Sequence, residues 1–365
     1  MNQNVNMYSP ICRTSYGIVS FLMMKEMAKS GKFNMTYSPI GGTDLTSFQG
    51  MDMEWLIKAS KSAEMFDSNA PCFKIFHENK MDSRIGSGKL VGYSFFEGDK
   101  LSETAVHHAS QCDTFCVSSQ WAKDVALNSG VTSPVEILHP VIDYDLCRKS
   151  VARYTETKPK RNEIVKFLHI GKMEDRKNQI DMIKAFGEAF DQFDPVELHI
   201  MWDSPFNTQG QAEARQKAIQ DSPLSHKIKI LGGKQLYSDV ISLYGDYDVY
   251  VSLSRAEGWD MPLFEALSCG MTAIATNVTA HTEFIDKDNC VMVESKRMIP
   301  AVDGVWFFGD SDWHDFSKDD IVSSFQEAFD RDSVKPLNER ENNSNKFIDT
   351  FDNMSTINKL ESILR

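Results

Sequence analysis

The 365-residue sequence has no apolar run near the roughly 20 residues that cross a bilayer, no G-x-G-x-x-G stretch and no G-x-x-x-x-G-K-[ST] stretch. The first absence speaks against a transmembrane helix. The other two remove the phosphate loops that mark dehydrogenases and P-loop NTPases. Basic residues are in deficit: 39 Lys and Arg against 52 Asp and Glu leave a formal charge of -13. A nucleic-acid binder needs a cationic face, so stable nucleic-acid binding is not expected. The seven cysteines (Cys12, Cys72, Cys112, Cys116, Cys147, Cys269 and Cys290) form an odd, scattered set. That pattern fits reduced thiols and a cytoplasmic setting, with peripheral membrane association left open. Cys112 and Cys116 have no second pair, so no metal site is assigned to them. The apolar stretch Ile18–Met24 runs straight into Lys25 and Glu26 and reads as a helix face, not a signal peptide.

What is present is an alternation. Short apolar runs such as Val5–Tyr8, Phe73–Phe76, Thr114–Val117, Val135–Leu138, Ile164–Ile170, Val196–Met201, Val249–Leu253 and Thr272–Ala275 exchange with helical patterns. This is the signature of βαβ units and parallel sheets. The polar stretch Arg148–Glu163, holding Lys158, Pro159, Lys160 and Arg161, reads as a linker between two doubly wound α/β domains. The expected division is 1–150, joined by a C-terminal helix at about 345–365, and 160–344.

The stretch Val249–Ala275, VYVSLSRAEGWDMPLFEALSCGMTAIA, carries the densest signal. A buried strand enters a loop with Glu257 and Gly258. Pro262 suits a first helical turn, Glu265 is placed in that turn, and Gly270 reads as a C-cap. Loops of this kind lie on the ligand side of an open α/β sheet. A helix start with free N–H groups suits a diphosphate. Carboxylates at Glu257 and Glu265 suit sugar and ribose hydroxyls. A helix with an acidic first turn, favoured by its dipole alone, fits the same residues.

This segment resembles the donor signature of the large retaining "glycosyl transferases group 1" family, family 4-like, of GT-B fold: two glutamates separated by seven residues, around a Gly-aromatic-x-x-Pro turn. The resemblance implies that Glu265 holds the donor ribose and that Glu257 faces the transferred sugar. It also implies donor contact along Gly258, Trp259, Asp260, Met261, Pro262 and Leu263. Asp260 stands where glycine is common, so a side chain there can touch the sugar and alter donor choice. A second match lies in FLHIGKMEDRKNQIDMIKAF, Phe167–Phe186. The family carries a basic residue after the glycine and a lysine before the next helix. These map to Lys172 and Lys177, with Arg176 as a competitor because the loop is one residue shorter. Cations there would stabilise a leaving diphosphate. Between these motifs, Lys227–Ser254 is similar to the base-recognition segment, with the backbone at Gly232, Gly233 and Lys234 facing the nucleobase.

The first half is less specific. Tyr16-Gly17 lies where the family brings a glycine near the donor phosphate or the acceptor, and Gly17 equally suits a tight turn. Val117–Asp143 is close to the family's run between the last strands of the acceptor domain. For the residue opposite the donor, His77 and Glu97 both stand after apolar runs, and both stay open. His107 and His108 read as structural or surface residues. Asp143-Tyr144-Asp145 and Asp246-Tyr247-Asp248 match an Asp-x-Asp metal pattern that arises easily in an acidic chain, so neither is assigned.

The resulting expectation is α/β, GT-B: two facing doubly wound Rossmann-like domains with an interdomain cleft, whose closure excludes water. The expected activity is a retaining, metal-independent hexosyl transfer from a nucleoside diphosphate sugar to an acceptor hydroxyl on a glycan, lipid or other molecule, with no cofactor. Two alternatives stand beside it. One is glycosylation of modified bases in viral DNA, which Lys80, Arg84 and Lys89 would serve. The other is a catalytically silent nucleotide-sugar-binding module. A nucleotide-sugar epimerase shares the fold, and a phosphorylase would need a far longer chain.

Overall fold

A computed structural model of the chain describes residues 2–61, 66–160, 164–202, 209–234, 236–333 and 336–365. Arg161 of the expected linker lies outside them. The chain divides into two compact units.

The first unit holds residues up to Asp143, a short piece around Tyr237, and Thr350–Arg365. Its strands are β1 (Gln3–Ile11), β2 (Phe33–Thr43), β3 (Cys72–Ile75), β4 (Leu90–Ser94), β5 (Thr114–Val117) and β6 (Val135–Ile137). All pair in parallel in the order β2-β1-β3-β4-β5-β6. Strands β3 and β4 are buried at every position, as expected of a sheet covered on both faces. Helix α1 (Ser15–Ser30) follows β1, and α2 (Glu54–Lys61), α3 (Glu103–Ala109) and α4 (Gln120–Asn128) come later.

The second unit runs from Tyr144 to Lys234 and from Ser238 to Asp349. Its strands are β7 (Val165–Ile170), β8 (Val196–Met201), β9 (Ile228–Leu231), β10 (Val249–Ser252), β11 (Thr272–Thr276) and β12 (Cys290–Val293). Their order is β12-β11-β10-β7-β8-β9, again all parallel. Counted from β7, this is the 3-2-1-4-5-6 arrangement of a dinucleotide-binding sheet. Helices α5 (Tyr144–Thr157), α6 (Gln179–Ala189), α7 (Gln209–Asp221), α8 (Tyr237–Leu243), α9 (Met261–Ser268), α10 (Lys318–Ser333) and α11 (Leu337–Thr350) precede the last helix, α12 (Asn353–Leu364). Phe167, Phe186, Phe190 and Phe325 pack edge-on or tilted, centroids 5.3–6.5 Å apart, in the core under the sheet.

Four features differ from the sequence expectation. The supposed linker after Arg148 is helical through Thr157, and α5 packs with the second unit: Arg153 makes a bidentate pair with Asp246 at 2.8–2.9 Å. Residues 144–150 therefore do not group with the first half. The single C-terminal helix is two helices, broken at Phe351–Asp352. The Asp352 side chain caps α12 by accepting from the Ser355 amide. Up to residue 349 the chain packs on the second unit, where buried Arg340 donates to the carbonyls of Tyr244, Tyr247 and Cys269. Only α12 joins the first unit, where the Asn353 side chain donates to the Ile142 carbonyl at 2.8 Å. An antiparallel hairpin of β13 (Ser295–Val302) and β14 (Phe308–Phe316) was not foreseen.

Gly17 lies inside α1, not in a turn. A Cβ there would stand 2.3 Å from the Cys12 amide nitrogen and 2.4 Å from its carbonyl oxygen. Backbone cannot move aside cheaply, so close packing against the β1–α1 loop accounts for the glycine. Gly17→Ala is expected to destabilise the protein by about 2 kcal/mol or more, read as a lower urea midpoint at unchanged slope.

Candidate donor site in the second unit

Three loops at the carboxyl ends of β7, β10 and β11 converge beside the point where the strand order reverses, between β7 and β10. In open α/β sheets that crevice is where ligands bind. Backbone bonds tie the loops together. The Arg255 amide donates to the Arg176 carbonyl at 2.7 Å and the Ala280 amide to the Glu257 carbonyl at 3.3 Å. The Arg176 guanidinium donates to the Ala256 carbonyl, and the Glu257 amide donates to the Thr279 hydroxyl at 2.9 Å.

The ionisable groups brought together are buried. Lys177 Nζ lies 2.6 Å from Glu257 Oε1 and 3.6 Å from Asp260 Oδ1, and Arg176 reaches the same Glu257 oxygen at 2.8 Å. Arg176 also pairs with Glu174 at 2.8 Å, and Lys172 lies 3.6 Å from Glu174. Burial alone would raise the Glu257 carboxyl, but Arg176 and Lys177 outweigh it and hold it below the usual carboxylate range. Burial likewise opposes ionisation of Asp260, and Lys177 and His281 reverse the balance, so it too stays well below its ordinary value. Burial would lower the Lys177 ammonium, yet Asp260 and Glu257 hold it above the ordinary lysine range.

Asp260 is the N-cap of α9 with φ 73°, a left-handed conformation. That explains why glycine suits this position. Its carboxylate is not turned outward. Oδ2 accepts from the Ser252 hydroxyl and lies 3.1 Å from His281 Nε2. Among the described residues, the non-glycine residues with positive φ are Asn178, Asp260 and Thr279, one in each of the three loops. Strained backbone of this kind persists where surroundings over-determine it, and it clusters at functional sites.

Helix α9 begins at Met261, so Glu265 falls in its second turn, not the first. The reading of Glu265 as a dipole-favoured first-turn acid therefore fails. Glu265 is buried, with the Tyr244 hydroxyl 3.0 Å from its Oε2. Gly258, Trp259 and Met261 are buried, Pro262 is half-buried and Leu263 is fully covered. The Trp259 ring packs in the core against Phe264 and Phe284 at 5.0 and 4.7 Å. Gly232, Gly233 and Lys234 form an exposed loop after β9, two strands from β7.

In the first unit, His77 follows β3 and is exposed, and Glu97 follows β4 and is half-buried. Tyr16, at the start of α1, joins them: its ring is 4.6 Å from that of His77, and its hydroxyl donates to the Phe95 carbonyl at 2.7 Å. Burial, with Glu97 adding to it, pushes the Glu78 carboxyl up to about 7. The two Asp-x-Asp triplets are taken up by cations: Asp143 pairs with Lys25, Asp246 with Arg153, and Asp248 with Lys158 at 2.7 Å.

Sequence reasoning missed His169, Gln179 and Arg215, which support the basic loop, and His281, which supports Asp260. His169 Nδ1 lies 2.8 Å from the Val251 carbonyl, and its Nε2 lies 3.1 Å from the Gln179 amide nitrogen. That nitrogen also donates to the Lys172 carbonyl, and the Gln179 oxygen accepts from Arg215 at 2.6 Å. The one available signal was a polar residue inside an apolar strand, at His169.

Six-stranded parallel sheets of these two orders, each flanked by helices, define a GT-B architecture. Residues 152–305 match the family described as Glycosyl transferases group 1. Solved structures of the same fold cover the whole chain at low identity. Anabaena HepE in complex with UDP-glucose aligns at TM-score 0.70 and 13% identity over 100% of this chain and 99% of that one. The sucrose-phosphate synthase from Thermosynechococcus elongatus aligns at 0.67 and 12%, over 99% and 98%. Trehalose-6-phosphate synthase, OtsA, aligns at 0.68 and 9%, over 100% of this chain and 99% of that one. No curated protein sequence matches the chain. No helix among the described residues is long and apolar enough to cross a membrane.

His169 yields a pH prediction. Burial depresses its pKa to about 4, against about 6.5 in the unfolded chain. A depressed histidine contributes stability that is complete above about 6.5 and is lost as pH falls toward about 4. The change amounts to about 3 kcal/mol. Urea midpoints should fall between about pH 7.5 and 4.5, and His169→Gln should flatten that slope. An unchanged slope in the variant would contradict the assignment.

Proposed function

We propose that the protein is a glycosyltransferase that moves a hexose from a nucleoside diphosphate sugar to an acceptor hydroxyl, with retention and without a metal ion. The observation that carries this reading is the buried Lys177–Glu257 pair beside the strand-order reversal, inside the stretch that matches a glycosyl transferase family. Three cations, Lys172, Arg176 and Lys177, stand on one short loop. The start of α9 offers free backbone N–H groups next to it. Together they suit the charge that develops on a departing diphosphate. If they supply that stabilisation, no metal is needed. Glu265, steadied by Tyr244, would accept from the donor ribose, and Glu257 would meet the transferred sugar. In the first unit His77 and Glu97 are both candidates for acceptor-side chemistry. Retention follows from the family resemblance alone. A cytoplasmic location fits the reduced thiols.

The test is thermal stability of the purified protein with UDP, GDP, ADP and their glucose conjugates, without divalent metal. A ligand that binds only the folded form raises the midpoint by mass action, adding about 2.7 kcal/mol of stability at a hundredfold excess over Kd. One diphosphate should raise it, and Lys177→Ala and Glu265→Ala should abolish the shift. Transfer or hydrolysis of the matching nucleotide sugar should be lost in the same variants. No shift with any nucleotide, and no turnover, would overturn the proposal.

A further inference from the structure

The cations of the donor loop are not free. Each already faces a carboxylate, and one of these, Asp260, has an unusual setting. Its backbone is left-handed at φ 73°, a conformation that glycine adopts freely and that Asp and Asn adopt more readily than other side-chain-bearing residues. Its side chain is essentially fully covered. Oδ2 is anchored by Ser252 and His281. Oδ1 is buried without a hydrogen-bond partner and faces Lys177 Nζ at 3.6 Å. A buried carboxylate oxygen that, among the described residues, has an ammonium beside it and no hydrogen-bond partner is expensive. A lysine needing only one counter-ion already has Glu257 at 2.6 Å.

We propose that Asp260 is a positioning residue that holds Lys177 through its second carboxylate oxygen and weakens the grip of that lysine on a bound diphosphate. The inference rests on the reading of Lys177 as the diphosphate cation. In this reading Asp260 acts through Lys177 and not by contact with the sugar. It sets how much of the Lys177 charge is left for the anion. An enzyme gains rate only from contacts stronger in the transition state than before or after it. A fixed negative charge beside the lysine opposes tight binding of the free diphosphate product.

The experiment measures binding of UDP, GDP and ADP by calorimetry to wild type, Asp260→Asn, Asp260→Gly and Lys177→Ala, with steady-state kinetics on the matching sugar nucleotide. Asn and Gly both tolerate positive φ, so the backbone is kept. Both variants should bind the recognised diphosphate tighter, by roughly fivefold to a thousandfold, the range that one unit charge about 4 Å away spans between bulk water and an effective dielectric of about 20. Donor KM should fall, and kcat should fall with it. Merely structural damage would lower stability without tightening the diphosphate. If wild type binds a diphosphate through Lys177 and both Asp260 variants bind it equally or more weakly, the inference is wrong. If wild type binds none of the three, the functional reading has failed and takes this inference with it.

Discussion

Lys177, Arg176, Glu257 and Asp260 are each at least nine-tenths buried, and none of these charges would survive there alone. Transfer of an isolated ion into a protein interior costs several kcal/mol even after relaxation, and it is repaid only by close opposite charge with good geometry. The loop after β7 and the loop after β10 therefore stabilise each other. Remove the cations and Glu257 and Asp260 become unpaired buried anions; remove the carboxylates and Lys177 becomes an unpaired cation. The backbone bonds from Arg255 to Arg176 and from Ala280 to Glu257 fix the spacing within which this balance holds. Asn178 and Thr279 adopt left-handed backbone within the same construction, at φ 52° and 51°.

The surroundings carry the load further out. Arg255 spans to Asn178, Asp181 and Asp315, so the loop after β10 is tied both to the start of α6 and to β14. Trp313 on the hairpin packs with Ala256 and Ala301 over that loop. Below, the chain His169–Gln179–Arg215–Asp175 is hydrogen-bonded or ion-paired at each step. A neutral His169 can donate through Nδ1 and accept through Nε2, which is what Val251 and Gln179 ask of it. Buried polar networks that are satisfied in this way rigidify their surroundings. Here they hold the basic loop at the Lys172 carbonyl.

Much of this was legible from the chain. The apolar runs became strands within three residues of the expected limits, because parallel strands buried on both faces read as unbroken hydrophobic stretches. Glu257, Lys177, Arg176 and Asp260 come together as motif spacing suggested, since short loops after neighbouring strands must converge at one sheet edge. Other features left no local mark. The β13–β14 hairpin is built from SKRMIPAV and FGDSDWHDF, which mix charge with apolar residues and lack clean alternation. The helix α5 looked like linker because its polar face faces water, while within Arg148–Thr157 the inward-packing residues are Ser150, Val151 and Tyr154. Left-handed Thr279 and the depressed His169 depend on tertiary surroundings, which composition does not encode.

The charge balance of the donor loop limits what can bind there. Lys172 and Arg176 face Glu174, Arg176 and Lys177 face Glu257, and Lys177 faces Asp260. Three cations are thus set against three carboxylates, in a chain whose overall charge is -13. Long-range attraction of an anionic ligand is weak under those conditions. An anion can gain from these cations only by taking the place of a carboxylate as their partner. Its affinity is then a small difference between two large terms, the pairs broken and the pairs formed. Sites of that type respond steeply to the loss of one charge. They also favour ligands that supply their own donors to the displaced carboxylates. A sugar hydroxyl donated to Glu257 would do so, and a nucleotide sugar would then suit this loop better than a bare phosphate of the same charge.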